Sequence, residues 1–374
     1  MFNDYYRKNK GSKKHAFSRW LFDKALFFLT PKPIEVTPNK ILIICNGHIG
    51  DVVMATSIFE EIKKNYPQSK VTVITSKIAA PILEKNPYID NLIVSDFFWR
   101  KETRNFKTFM ENRKLVSLLK KENFDVGIAV RSDLPNIAFL LRPLAKKKVA
   151  YYNLDGGKCL LTNPILYPEK EMHTTISNIK LVNEALHMDS IDAFPEIFID
   201  DYYDKLLEER YICIVPGACT KLQTWSKENY KTIISWMNNR HPDYNIVLAG
   251  GKGDEELINM LSLDNSKCIK MIDHNLRQLG IIFNNADCVI VQDGGPMHIA
   301  YTMMDDADQK LIILWGPGTL EHFAPLKGKI IHHKLDCYPC MRQESQCPKP
   351  EGQRCMDLIT VEEVKQAIGE AIST

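Results

Sequence analysis

The sequence predicts an α/β fold laid down twice in one chain. Three observations carry this. Short apolar runs alternate with segments of helical spacing from residue 40 onward. The alternation restarts near residue 211, after a weaker connecting stretch from about 187 to 209. Several of the apolar runs end in glycine-bearing turns, where open α/β sheets bind their ligands. Strands alternating with helices imply parallel sheets, and 374 residues suffice for two such domains. We therefore expect an N-terminal extension over 1–39, one domain over 40–200 and a second over 201–374.

The extension carries eight Lys and Arg residues against three acidic ones, with aromatics interleaved. Its stretch from Phe17 to Leu29 suits an anionic bilayer surface or the protein's own surface. Thr30-Pro-Lys-Pro33 ends it. Lys40 to Cys45 then reads as a buried strand, and Ile49 to Asn65 as a helix. Val71–Thr75, Leu92–Val94 and Val126–Val130 are further strands, with helices near 107–121 and 134–142. Segments 96–106 and 151–172 read as loops. Their aromatics Phe97, Phe98, Trp99, Tyr151 and Tyr152 suit sugar stacking or plain packing.

In the second half, Tyr211–Val215, Tyr244–Leu248, Cys268–Met271, Cys288–Val291 and Leu311–Leu314 read as strands. Helical spacing fills 227–240, 253–262 and 275–285. The chain closes on a helix with Thr360 as N-cap and Glu362 and Glu363 in its first turn.

Composition narrows the function classes. Lys and Arg number 48 against 46 Asp and Glu, so no general nucleic-acid footprint is present. No apolar run reaches the roughly 18–20 residues of a membrane-spanning helix. The N-terminus lacks a clean secretory signal, so a cytoplasmic protein is expected, peripheral on the inner membrane face if the extension binds lipid. Of ten cysteines, Cys45, Cys213 and Cys288 lie inside apolar runs, as small buried groups. Cys337, Cys340, Cys347 and Cys355 cluster, opening with a C-x2-C pair. Structural zinc, disulfides and free thiols all fit that spacing, with His332 and His333 as spare ligands.

Four turns carry candidate chemistry. Asp293-Gly294-Gly295-Pro296-Met297-His298 reads as strand end, glycine turn and helix start, which suits a phosphate. Cys45-Asn46-Gly47-His48-Ile49-Gly50-Asp51 has the same order. Its Asp51 is a helix cap or a general base, held ionised by the helix dipole. In Val215 to Trp225, Thr220 and Lys221 suit a phosphate. In Leu248 to Glu256, the glycines suit a ribose or base, with Lys252, Asp254 or Glu255 near its hydroxyls. None of these is a Walker A loop or a complete dinucleotide-binding fingerprint.

Taken in register, these pieces resemble glycosyltransferase family 9, the lipopolysaccharide heptosyltransferase group. The matching stretches are Ile41–Ile44 with Ile49–Thr56, Asn86–Asp90, Pro216–Tyr230, Leu248–Gly251, Asp293–Ala300 and Trp315–Thr319. They span roughly 40 to 372. The resemblance implies a GT-B fold, two Rossmann-like domains facing across a cleft, and an inverting, metal-independent transferase with no cofactor required for catalysis. It assigns the acceptor, a glycan or glycolipid, to the N-terminal domain and a nucleotide-diphosphate sugar, ADP-linked above others, to the C-terminal one. Carried over, Asp51 matches the catalytic base, in an acceptor-side loop with Gly47, His48 and Gly50. Asp293, Gly294, Gly295 and His298 match the donor turn, and Thr220 a phosphate-contacting hydroxyl. Two positions depart from the pattern. Gln223 stands where the family usually has a phosphate-binding lysine, with Lys221 two residues upstream. The family's Asp-Thr-Gly turn is Asp-Gly-Gly here. A non-catalytic sugar-nucleotide binder and an NAD-dependent oxidoreductase are the alternatives.

Overall fold

A computed structural model describes residues 31–152, 157–168, 172–190, 193–199, 207–263, 267–340 and 347–373. The Phe17–Leu29 stretch lies outside them. The chain divides into two compact units, with the boundary between Phe198 and Ile199.

The first unit runs β1 (Lys40–Ile44), α1 (Ile49–Ala55), α2 (Ser57–Asn65), β2 (Lys70–Thr75), β3 (Asn91–Val94), α3 (Phe106–Leu119), β4 (Phe124–Ala129), β5 (Ala145–Tyr152), β6 (Asn163–Leu166) and α4 (Thr174–Leu186). Its strands form one parallel sheet in the order β3-β2-β1-β4-β5-β6. Ile41 to Ile44 of β1 are fully buried, as a strand covered on both faces requires.

Two local expectations are corrected and one is sharpened. The single helix over 49–65 is two. The Thr56 hydroxyl donates to the Val53 carbonyl at 2.7 Å and accepts the Glu196 N–H at 2.8 Å, which interrupts the helix between them. The stretch near 134–142 is helical as expected, with π-helical hydrogen bonding over Asn136–Leu141. The 151–172 stretch is not all loop, since β5 and β6 reach into it. β5 hides from a hydropathy reading because Lys146, Lys147 and Lys148 sit mid-strand. Lys147 is only 2% exposed, yet it is paired: its ammonium lies 2.6 Å from Glu35, which also meets His187 at 2.9 Å. Donation from Lys147, then from His187, holds the Glu35 carboxyl below the usual carboxylate range.

The second unit runs β7 (Tyr211–Ile214), α5 (Lys227–Arg240), β8 (Asn245–Gly250), α6 (Glu255–Ser262), β9 (Cys268–Ile272), α7 (Leu276–Asn284), β10 (Cys288–Gln292), α8 (Gly295–Met303), β11 (Leu311–Trp315), β12 (Lys329–His332) and α9 (Val361–Ile372). The sheet order is β12-β11-β10-β7-β8-β9, again parallel. Renumbered from its own first strand, this is the order of the first unit, the Rossmann order. Both sheets therefore reverse direction beside their first strand: between β1 and β4, and between β7 and β10. Ligands of open α/β sheets bind at such points. The closing helix α9 packs Val364, Ala367, Ile368 and Ala371 into the second unit's core, capped by Thr360 as expected.

Candidate active site

At the first reversal point, the loop after β1 carries Gly47 and His48, and the start of α1 carries Gly50 and Asp51. Asp51 sits at the third position of α1, and its Oδ2 accepts the His48 N–H at 2.9 Å. So it does cap the helix. Gly47 is required by proximity: a β-carbon there would overlap the Asp51 β-carbon and lie 2.8 Å from its Oδ2. The loop after β4 adds a residue that sequence reasoning missed. Arg131 Nη1 reaches the same Asp51 Oδ2 at 2.8 Å, and its Nε reaches Asp133 at 3.0 Å. A cavity of about 310 Å³ opens here, lined by Gly47, Asp51, Arg131, Tyr151, Tyr167 and Asn178 among others.

The aromatics in the segments beside it mostly pack. Phe97 is buried, Trp99 stacks on Phe139 with centroids 5.7 Å apart, and the Tyr151 hydroxyl donates to the Ser177 carbonyl at 2.7 Å. Tyr151 also lines the cavity.

At the second reversal point, β10 ends at Gln292, Asp293 follows it, and α8 starts at Gly295 with Gly294 as its N-cap. Pro296 offers no N–H, so the outward donors of this first turn are those of Gly295 and Met297. Gly294 is extended, with φ of 166°, and a β-carbon there would come no nearer than 3.8 Å to Pro296. The backbone would therefore accept the family's threonine. His298 is buried one turn into α8, ring to ring with Tyr301. Asp293 is also buried, and burial pushes its carboxyl up from the ordinary value, partly offset by a hydrogen bond from Gln223.

That hydrogen bond is the second end of a relay. The Thr220 hydroxyl donates to Gln223 Oε1 at 2.9 Å, and Gln223 Nε2 donates to Asp293 Oδ2 at 2.8 Å. Thr220, Gln223 and Asp293 thus form one connected group, with Lys221 exposed beside it. Two further residues complete the group. Gln292 Nε2 donates to the Pro216 and Gly217 carbonyls at 2.8 and 3.1 Å, tying the β7 loop to β10. Gly318 presses on Asp293, where a β-carbon would overlap Oδ2. Trp315 Nε1 holds the Gly318 carbonyl at 2.9 Å, which accounts for the Trp-Gly-Pro-Gly stretch.

The four clustered cysteines are all half-buried. Burial, with the neighbouring Cys340, Cys337 and Cys347, pushes the Cys355 thiol up to about 11. Among the described residues no group of three or more His, Cys, Asp or Glu side chains is arranged to hold a metal ion, so of the zinc, disulfide and free-thiol readings of these four, the zinc one finds no site. The spare ligands are used elsewhere: His332 meets the Trp315 carbonyl and His333 meets Glu363.

Residues 112–351 match the family model described as glycosyltransferase family 9 (heptosyltransferase). The chain belongs to glycosyltransferase family 9. It is 24% identical over 268 residues to lipopolysaccharide heptosyltransferase 3 of Escherichia coli strain K12, covering 67% of this chain and 76% of that one. A second E. coli lipopolysaccharide heptosyltransferase 3 is 22% identical, covering 81% and 91%. Among solved structures, the family 9 glycosyl transferase of Veillonella parvula superposes with a TM-score of 0.73 at 18% identity, covering 91% and 99%. E. coli ADP-heptose lps heptosyltransferase II gives 0.70 at 18%, covering 89% and 98%. E. coli heptosyltransferase WaaC with ADP gives 0.70 at 16%, covering 89% and 99%. As a family 9 member with this GT-B architecture, the protein is a glycosyltransferase.

Proposed function

We propose that this chain transfers a heptose from an ADP-linked donor to a sugar of a lipopolysaccharide-type acceptor, with inversion and without a metal. The observation that carries the reading is the chemistry at the two reversal points. One presents a carboxylate beside a cavity and the other a glycine turn at a helix start. Relatives named as lipopolysaccharide heptosyltransferases, and the WaaC structure with ADP, support the substrate classes.

In this reading Asp51 is the general base. The acceptor hydroxyl oxygen bonds to the anomeric carbon while the bond from that carbon to the diphosphate oxygen breaks. The hydroxyl proton goes to Asp51, and the bonding pair leaves with ADP. The start of α8, with Thr220, Lys221 and His298, faces the diphosphate and stabilises its developing charge. Lys252 serves the ribose side, and Asp254 shapes the β7 loop beside it. Gln223 replaces a charged donor by a neutral one, so we read this member as a weaker donor binder than lysine-bearing relatives. The four cysteines take no part in the chemistry.

The acceptor is read as lipid-borne and met at the cytoplasmic face of a membrane. Phe106, Met110 and Leu118 lie exposed along α3 beside Lys107, Arg113 and Lys114, a mixture suited to an anionic lipid surface. No helix among the described residues is long and apolar enough to cross a membrane.

The test is release of ADP from ADP-heptose with core oligosaccharide as acceptor. Asp51→Asn is expected to lower turnover about 10²–10⁴-fold, the usual worth of a general base, with ADP affinity unchanged. ADP binding by the wild type without turnover on any core acceptor would instead favour a binding-only protein.

A further inference from the structure

Asp51 is tied into a closed ring of hydrogen bonds that joins the β1 and β4 loops across the first reversal point. Arg131 bridges Asp51 and Asp133. Asp133 Oδ1 accepts the Asn136 N–H at 3.0 Å. Asn136 and Asn46 then exchange two side-chain hydrogen bonds, at 2.7 and 2.8 Å, with both residues buried. Asn46 stands immediately before Gly47, in the same loop as Asp51, and so closes the ring. Arg100 backs it from outside by donating to the Asn46 carbonyl.

Two donors in this ring converge on one oxygen. Oδ2 of Asp51 takes both the His48 N–H and Arg131 Nη1. A carboxylate that gives one oxygen to fixed donors can rotate little about χ2, and its other oxygen is held in a set direction. A merely capping aspartate needs only the His48 N–H. The arginine is surplus to capping, and its planar fork is matched to two acceptors at once.

We infer that Arg131 is a positioning residue that fixes Asp51 through Oδ2 and leaves Oδ1 as the oxygen that receives the acceptor's proton. The inference rests on the assignment of Asp51 as base. Because Arg131 acts through Asp51, its loss shows in the chemical step. A misplacement of about 1 Å costs on the order of 10²-fold in rate.

The experiment compares Arg131→Ala, Arg131→Lys and Asp51→Asn in steady-state transfer, with and without added guanidinium at non-denaturing concentration. We expect Arg131→Ala to lower kcat about 30–100-fold with the acceptor KM and ADP affinity within about threefold, the signature of an interaction made in the transition state. Guanidinium should restore at least about a tenth of the lost rate in Arg131→Ala and none in Asp51→Asn. Arg131→Lys, a single point donor, should fall between the two. An unchanged kcat in Arg131→Ala overturns the inference. So does a raised acceptor KM at constant kcat, which would make Arg131 an acceptor-binding group, and so does a loss that neither guanidinium nor lysine recovers. Full activity in Asp51→Asn would instead remove the base assignment itself.

Discussion

The two units contain the same local device and use it differently. Gly47-His-Ile-Gly-Asp51 and Gly250-Gly-Lys-Gly-Asp254 both follow a strand and open a helical turn. In each, the aspartate's Oδ2 accepts the N–H three residues back at 2.9 Å. In each, a side chain on the first glycine would crowd that aspartate. The surroundings differ. Asp51 follows the first strand of its sheet, at the reversal point, and meets Arg131 and a cavity. Asp254 follows the second strand of its sheet and meets the backbone of the β7 loop, where a β-carbon on Gly217 would overlap it. With Asp293 it helps hold the Cys219 thiol above its ordinary pKa, after partial burial of that thiol. The local sequence builds a capped aspartate in both places. The neighbouring strand decides whether that aspartate faces a reactant or a main chain.

Paired glycine substitutions are the strongest way to break this comparison. Gly47→Ala drives a methyl into Asp51, and we expect turnover to fall on the order of 10²-fold while ADP affinity holds. Gly217→Ala drives a methyl into Asp254, and we expect the reverse: ADP affinity weakened about tenfold or more, about 1.4 kcal/mol. Calorimetric titration with ADP and steady-state transfer separate the two. Equal effects of both variants on ADP binding would end the division of labour drawn here.

A smaller effect concerns Asp293. Burial raises its folded carboxyl pKa above the ordinary 3.8. The native state therefore holds that proton more tightly than the unfolded chain. The stability this contributes is complete below about pH 3.8 and is lost as pH climbs through the raised folded value. Asp293→Asn cannot ionise. It should raise the Tm of the ligand-free protein by about 2–4 °C at pH 7 and by nothing near pH 3.5. A Tm gain that persists undiminished at the acid end would point to repacking instead.

The smallest expected effect is Thr360→Ala. It removes the α9 cap, whose hydroxyl accepts the Glu363 N–H at 3.2 Å, and should cost about 1 kcal/mol in denaturant unfolding of the second unit. Transfer kinetics should not move.

The legible parts of this fold share one property: their cause is local. β1, β2, β7, β8, β10 and β11 are apolar runs because each is buried, and all but β2 lead into glycine-bearing turns. Asp51 and Asp293 stand where a strand meets a helix, and that junction can be read from neighbours alone. β5 could not be read this way. Its central lysine is buried only because Glu35, 112 residues earlier, and His187, 40 residues later, meet it. Arg131 was invisible for the same reason, since its partner lies 80 residues back. One signal was available. In a sheet that reverses beside its first strand, polar residues just past that strand and just past the fourth must meet, and Arg131 is the second residue past β4.

The strand order also sets a timetable. In each unit the strand synthesised first becomes an inner one: Ile41 of β1 pairs with Val71 on one side and with Val126 on the other, and β7 likewise waits for β10. While the chain is growing, the apolar β1 stands with one edge unpaired until Val126, the partner of Ile41, has emerged. Such an edge is a template for foreign strands. The first unit can close only when β4 arrives, and its sheet is complete before the second begins. Between residues 45 and 124 the open edge of β1 thus waits for its second neighbour, as that of β7 later waits for β10.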